Sequence, residues 1–191
     1  MNWETSVWED REALSRAAAA ELAQVAASAI AARGRFDLAL ARGSTPRRLY
    51  EILASDFRDR IDWSRTHLFW GDERYVPEGD PLSNFRMARK ALIDPLGIAA
   101  ANVHSMSTSF ADPDDAARAY EKTLRAHFGD GVPQFDLVLL GMGPEGHTAS
   151  LFPGSNALEE KERWVMPVRV AAEPPLRLGN RQGLSARPTS R

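Results

Sequence analysis

The sequence predicts a single three-layer α/β/α domain built on a mostly parallel sheet. Short apolar runs alternate with segments of helical periodicity along the chain, and glycine-bearing loops close those runs. The 191 residues, 43% hydrophobic and 26% charged, are enough to bury one core without disulfides or metal staples. Strands alternating with helices imply right-handed crossovers, and so a parallel sheet covered on both faces.

The first helix is expected from about Arg11 to Arg33, an alanine-rich stretch in which Leu14, Ala18, Leu22, Val25 and Ala29 fall near helical spacing. Gly34 follows as a C-cap. Phe36 to Ala41 reads as a buried strand between Gly34 and Gly43. Thr45 then serves as N-cap and Pro46 as the first helical residue of the next helix. Thr66 to Trp70 is the second strand, the text from Gly71 to Leu82 is loop, and a helix opens at Ser83. A third short strand is expected within Asn102 to Met106. Asp112 and Pro113 form an N-cap and first-turn pair for a helix that ends at Gly129. Phe135 to Leu140 is the clearest strand, and Trp164 to Val170 is another.

Composition narrows the function. A formal charge of −2 gives no electrostatic reason for a nucleic-acid or anionic-membrane partner. With no cysteine there is no disulfide, thiol nucleophile or cysteine-ligated zinc, which fits a reducing cytoplasm. The N-terminus carries no apolar signal region, and no window approaches the roughly 20 apolar residues of a membrane span. A cytoplasmic, unexported chain is expected.

In a parallel α/β sheet, ligands bind beyond the carboxyl ends of the strands. Three unusual loops fall there. Gly43, Ser44 and Thr45 stand at a helix N-terminus, where free N–H groups favour an anion such as phosphate. Asp72, Glu73 and Arg74 offer two carboxylates and a guanidinium, enough to orient a hydroxylated substrate and hold a phosphate or a developing anion. Asn84 is a further candidate for hydroxyl contacts. The third loop, GMGPEGH, sets His147 at the start of a helix beside Glu145, the pairing of a general base, because an unperturbed histidine titrates at about 6.5. His67, His104 and His127 read as structural, and Ser150 as a helix-packing residue.

The loop is also a literal G-x-G-x-x-G. Pro144 removes a backbone donor expected to meet a pyrophosphate, and no acidic residue ends a second strand near Met166, so dinucleotide binding is disfavoured. A Walker lysine and a G-x-S-x-G elbow are both absent.

FDLVLLGMGPEGHTASLFPGS, together with GSTP, GDERYVP and SNFRMARKAL, resembles the 6-phosphogluconolactonase family, in order from Phe36 to about Pro175. The resemblance implies a Rossmann-like α/β fold shared with glucosamine-6-phosphate deaminases. It implies hydrolysis of a sugar-phosphate lactone with no metal or organic cofactor. Carried over, His147 is similar to the general base, Glu145 to the residue that orients it, though Asp is commoner there, and Arg74 to the arginine holding the phosphate or oxyanion. Gly43, Ser44 and Thr45 match the phosphate-side loop, and Arg177 an arginine near the phosphate. Arg42 stands where glycine is common. The alternatives are a deaminase of the same fold and an inactive sugar-phosphate-binding remnant. The domain is expected to cover 1–178, and the polar 179–191 to form a disordered or aberrant tail. Such a tail would follow from truncation or frameshift, with C-terminal elements missing and Arg177 without its supporting strand.

Overall fold

The computed structural model describes residues 4–180 and the backbone of 185–186. Four strands form the main sheet: β1 (Phe36–Leu40), β2 (Thr66–Trp70), β4 (Val103–His104) and β6 (Leu137–Val138), in the order β4-β2-β1-β6, all parallel. All five residues of β1 are buried, as a central strand covered on both faces requires. Alternate side chains point to opposite faces. Phe69 meets the rings of His127 and Phe128 from α5 (Pro113–Phe128), edge-on and tilted respectively, whereas its neighbour Trp70 meets Phe85 of α3 (Asn84–Ala88).

Helix α1 (Arg11–Arg33) has the expected bounds, with Gly34 in the left-handed region as its C-cap. Its buried stripe differs. Ser15, Ala19, Leu22, Ala23, Ala26 and Ala29 face inward, and Leu14 is exposed. Small side chains let α1 lie close against α2 (Ser44–Ser55), so close approach and not side-chain size selects the face. α2 starts two residues earlier than expected. Gly43 is its N-cap, and neither Thr45 nor another side chain caps it. α3 has the expected cap, the Ser83 hydroxyl accepting from Arg86 N–H, and runs on through a π-helical turn (Arg89–Ile93) into α4 (Asp94–Leu96). Asp112 caps α5 with Pro113 in its first turn, as expected.

A second sheet was not foreseen. Asp72–Arg74 is β3, not loop, and lies antiparallel to β8 (Leu176–Asn180), which pairs on its other side with β7 (Val165–Arg169). Arg177 therefore has strands on both sides, against the expectation that its support is gone. Gly179 and Asn180, assigned above to the tail, complete β8 and are buried. The single strand expected at Phe135–Leu140 is two short pieces: β6, and β5 (Gln134–Phe135), which pairs in parallel with β9 (Ser185–Ala186). The remainder of the expected tail, 181–184 and 187–191, lies outside the described residues. Among the described residues, no helix is long and apolar enough to cross a membrane.

One polar cluster sits within this framework. His67, His104 and His127 crowd around Phe69, with ring centroids 4.8 to 5.4 Å apart. Burial, and then the charge of His127, holds His67 below its ordinary value and His104 at about 4, so both are neutral at physiological pH.

Candidate active site

The cleft opens beyond the carboxyl ends of β1, β2 and β6, where the topology predicts it. Arg42, Asp72, Arg74, Gly143, His147 and Arg177 are among the residues lining it. The chain after β6 does not form the expected helix at His147. Gly146 and Ala149 both take positive φ, +80° and +48°, which interrupts helical geometry on either side of the histidine. The segment is a compact turn instead, closed by Gly143 N–H donating to His147 C=O at 2.8 Å and Gly146 N–H to Gly143 C=O at 2.9 Å.

Gly143 has a specific reason to be glycine, since a Cβ there would overlap Cε1 and Nδ1 of the His147 ring. On its other side the imidazole stacks on Phe152, with centroids 3.9 Å apart and planes at 18°. The third constraint is Glu145, whose Oε2 lies 3.0 Å from His147 Nδ1. A hydrogen bond from its own backbone and one from His147 lower the Glu145 carboxyl below its ordinary range. An ionised carboxylate only accepts, so Nδ1 carries the proton, and Nε2 is the nitrogen with the lone pair in the neutral ring. The ring has one orientation and one tautomer.

Arg42, Arg74 and Arg177 line the same cleft as the histidine, and Arg177 Cζ lies 5.3 Å from the centroid of the Phe152 ring on which His147 stacks. Arg74 and Arg177 are Cα partners on β3 and β8, and each has a buried Nε with no hydrogen-bond partner. Burial pushes the Arg74 guanidinium down to about 10, and the charges of Arg177 and Arg42 push the same way. Arg177 is also lowered, by burial first, with Asp72 opposing and Arg42 adding to the effect. Three arginines in one cleft, two of them with a buried Nε short of an acceptor, suit an anion chemically.

Asp72 is held from both sides. Its Oδ2 accepts from Ser150 Oγ at 2.7 Å, and its Oδ1 and C=O accept from Asn84 Nδ2 at 3.0 and 2.8 Å. Asn84 is buried behind this carboxylate, so the structure gives it a supporting position and not the substrate contact expected. Glu73 points the other way. Its carboxylate accepts the backbone N–H groups of Asn84 and Phe85 at 2.7 and 2.8 Å and thereby closes the start of α3. Burial raises it to about 7 despite those bonds.

His147, Glu145, Arg74, Asp72 and Arg177 are thus brought together, although Glu145 itself stands at the exposed rim. Gly43, Ser44 and Thr45 are exposed at the start of α2 and do not line the cleft. Two functional positions escaped sequence reasoning. Phe152 offers no signal beyond being aromatic near a histidine. Ser150 is fully buried and serves Asp72, a contact between segments distant in sequence.

The family model of glucosamine-6-phosphate isomerases/6-phosphogluconolactonase matches residues 9–180. A Synechocystis protein named 6-phosphogluconolactonase is 49% identical over 140 residues, 72% of this chain and 57% of that protein. One from Mycobacterium tuberculosis with the same name is 42% identical over 183 residues, 93% of this chain and 74% of the relative. Among solved structures, the 6-phosphogluconolactonase of Trypanosoma brucei superposes with a TM-score of 0.82 at 30% identity, covering 95% of this chain and 78% of that one. The Thermotoga maritima enzyme gives 0.79 at 31% identity, covering 92% and 75%. The chain spans less than two thirds of the Synechocystis relative's length and about three quarters of the others.

Proposed function

Since the chain belongs to the glucosamine-6-phosphate isomerase/6-phosphogluconolactonase family, we propose that it hydrolyses 6-phospho-D-glucono-1,5-lactone to 6-phospho-D-gluconate, the lactonase step of the oxidative pentose phosphate pathway. The observation that carries this reading is the pairing of His147 with Glu145 in the same cleft as Arg74 and Arg177. It provides a general base and, in the same cleft, a cationic seat for the phosphate.

In this mechanism His147 Nε2 takes a proton from water as the oxygen adds to the lactone carbonyl carbon. Glu145 stabilises the imidazolium that forms. The tetrahedral intermediate collapses by breaking the bond to the ring oxygen, which receives the proton back from His147 and becomes a hydroxyl. Arg74, Arg177 and Arg42 bind the phosphate, so the fixed end of the substrate positions the reacting end. Asp72, locked by Ser150 and Asn84, accepts a sugar hydroxyl. Gly43, Ser44 and Thr45 lie outside this scheme as a second, peripheral anion-attracting loop. No nucleic acid takes part, and a cytoplasmic location accords with the absence of cysteine.

The decisive experiment is acid release from freshly prepared 6-phosphogluconolactone, followed by pH-stat above the spontaneous rate. His147→Ala is expected to lower kcat by about 10²- to 10⁴-fold with an unchanged unfolding transition. Equal rates for wild type and variant would overturn the proposal. Ammonia release from glucosamine 6-phosphate would replace it with the deaminase reading.

A further inference from the structure

The three remaining histidines, His67, His104 and His127, take no part in the lactonase scheme, and their geometry has a use of its own. One ring nitrogen of each lies within 4.8 Å of one from each of the others. His67 Nδ1 and His104 Nε2 are 3.2 Å apart. Two nitrogens on a tetrahedral zinc, each at roughly 2.0–2.1 Å from the metal, stand about 3.3 Å apart. The first pair is therefore already at ligand spacing, and a nitrogen of the third ring lies within 4.8 Å of both.

The surroundings also suit a metal. His127 Nε2 bonds Asp37 Oδ1 at 2.7 Å, while Asp37 Oδ2 is held by Arg35 Nε at 3.0 Å. A carboxylate that takes one nitrogen of an imidazole orients the ring and makes its other nitrogen more basic, which is the usual outer support of a zinc-bound histidine. All three histidines are half-buried, so an ion can enter while most of the coordination shell is shielded.

We propose that His67, His104 and His127 form a zinc site, with water as the fourth ligand. It belongs to structure and not to the chemistry of the cleft. Asp37 and His67 are register partners near the amino ends of β1 and β2, roughly 10 Å of strand away from the cleft-lining Leu40 and Gly71. β2 and β4 already pair as neighbouring strands, so the ion would add a tie from that pair to the last turn of α5, which meets it there through the edge of the His127 ring on Phe69.

The test is titration of the metal-free full chain with Zn²⁺ by calorimetry, alongside Co²⁺ followed by its visible absorption. One ion per chain, a tetrahedral Co²⁺ spectrum and a rise in unfolding temperature with Zn²⁺ are expected in wild type and in His147→Ala. His104→Phe keeps a ring stacked on Phe69 and is expected to bind at least about tenfold more weakly. X-ray absorption on the wild-type zinc form counts imidazole ligands directly, whatever the variant's stability. Three support the site, and one or none overturns it. Undiminished binding in a folded His104→Phe, loss of binding in His147→Ala, or no binding by wild type overturns it equally.

Discussion

Arg74 and Arg177 stand directly opposite each other on neighbouring antiparallel strands, two like charges in a position where cross-strand partners normally attract or pack. Each also buries an Nε that finds no acceptor. The arrangement is unfavourable without a ligand and becomes favourable once an anion bridges the pair. We predict that 6-phosphogluconate at roughly 100 times its Kd stabilises the protein by about 2.7 kcal/mol. Arg177→Met should weaken that binding at least tenfold, removing about 1.4 kcal/mol of the shift at the same concentration. Thermal melts with and without ligand measure both, and equal shifts in the two proteins would rule out the phosphate role.

Gly143→Ala tests whether the His147 ring is held where the reaction needs it. The added methyl occupies ring space, so the ring must swing away from Glu145 or from Phe152. Because the loop is surface structure, global stability should change by less than about 1 kcal/mol, whereas kcat should fall by 10²-fold or more. A variant with wild-type kcat would separate the histidine's orientation from its activity.

Ser150→Ala removes the donor that Asp72 Oδ2 relies on in a fully buried setting. A loss of about 1–3 kcal/mol in urea unfolding is expected, together with a raised KM, because the carboxylate loses its fixed orientation. Gly179→Ala addresses the same contact from β8. Its Cβ would lie 3.2 Å from Val168 Cγ2 and 3.4 Å from Ser150 Cβ, so it crowds the serine without deleting the hydroxyl. If both variants prove as stable as wild type, the Ser150–Asp72 bond contributes nothing to the site.

Glu73 sets a pH dependence of stability. Its folded value, about 7, lies above the ordinary 4.5 because burial outweighs the backbone donors around it. A raised carboxyl value means that the folded state holds the proton more tightly. The contribution is full below pH 4.5 and is lost as pH rises through about 7, by on the order of 3 kcal/mol in all. Unfolding free energies measured from pH 5 to pH 8 should therefore decline more steeply for wild type than for Glu73→Gln. Parallel profiles would mean that the backbone N–H groups of Arg74, Asn84 and Phe85, all donating to Glu73, keep it ionised throughout.

Much of the framework was legible because it is local. Gly34 ends α1, Asp112 and Pro113 start α5, and β1 and β2 are apolar runs whose bounds the flanking residues mark. β3 was illegible for the opposite reason. Nothing in Asp72–Arg74 alternates or favours a strand, and the segment is extended only because Leu176–Asn180 pairs with it. The false helix at His147 has a comparable origin, since HTASLF carries ordinary helical composition and the positive φ of Ala149 is imposed by the turn. At the candidate site, the residue types pointed to a base and an anion seat. The roles of Ser150, Asn84 and Phe152 depend on contacts that exist only in the folded chain.

The pairing of β3 with β8 also bears on the order of events during synthesis. Roughly a hundred residues separate the two strands, a long loop to close compared with the local steps that build β1, β2 and their helices. As the chain leaves the ribosome, the parallel sheet and the Arg74 segment emerge well before Arg177 does. Under the proposed function, the Arg74–Arg177 anion seat is therefore completed only when β8 docks. Ligand binding by a nascent or refolding chain would report on the docking of β8 and not on formation of the hydrophobic core.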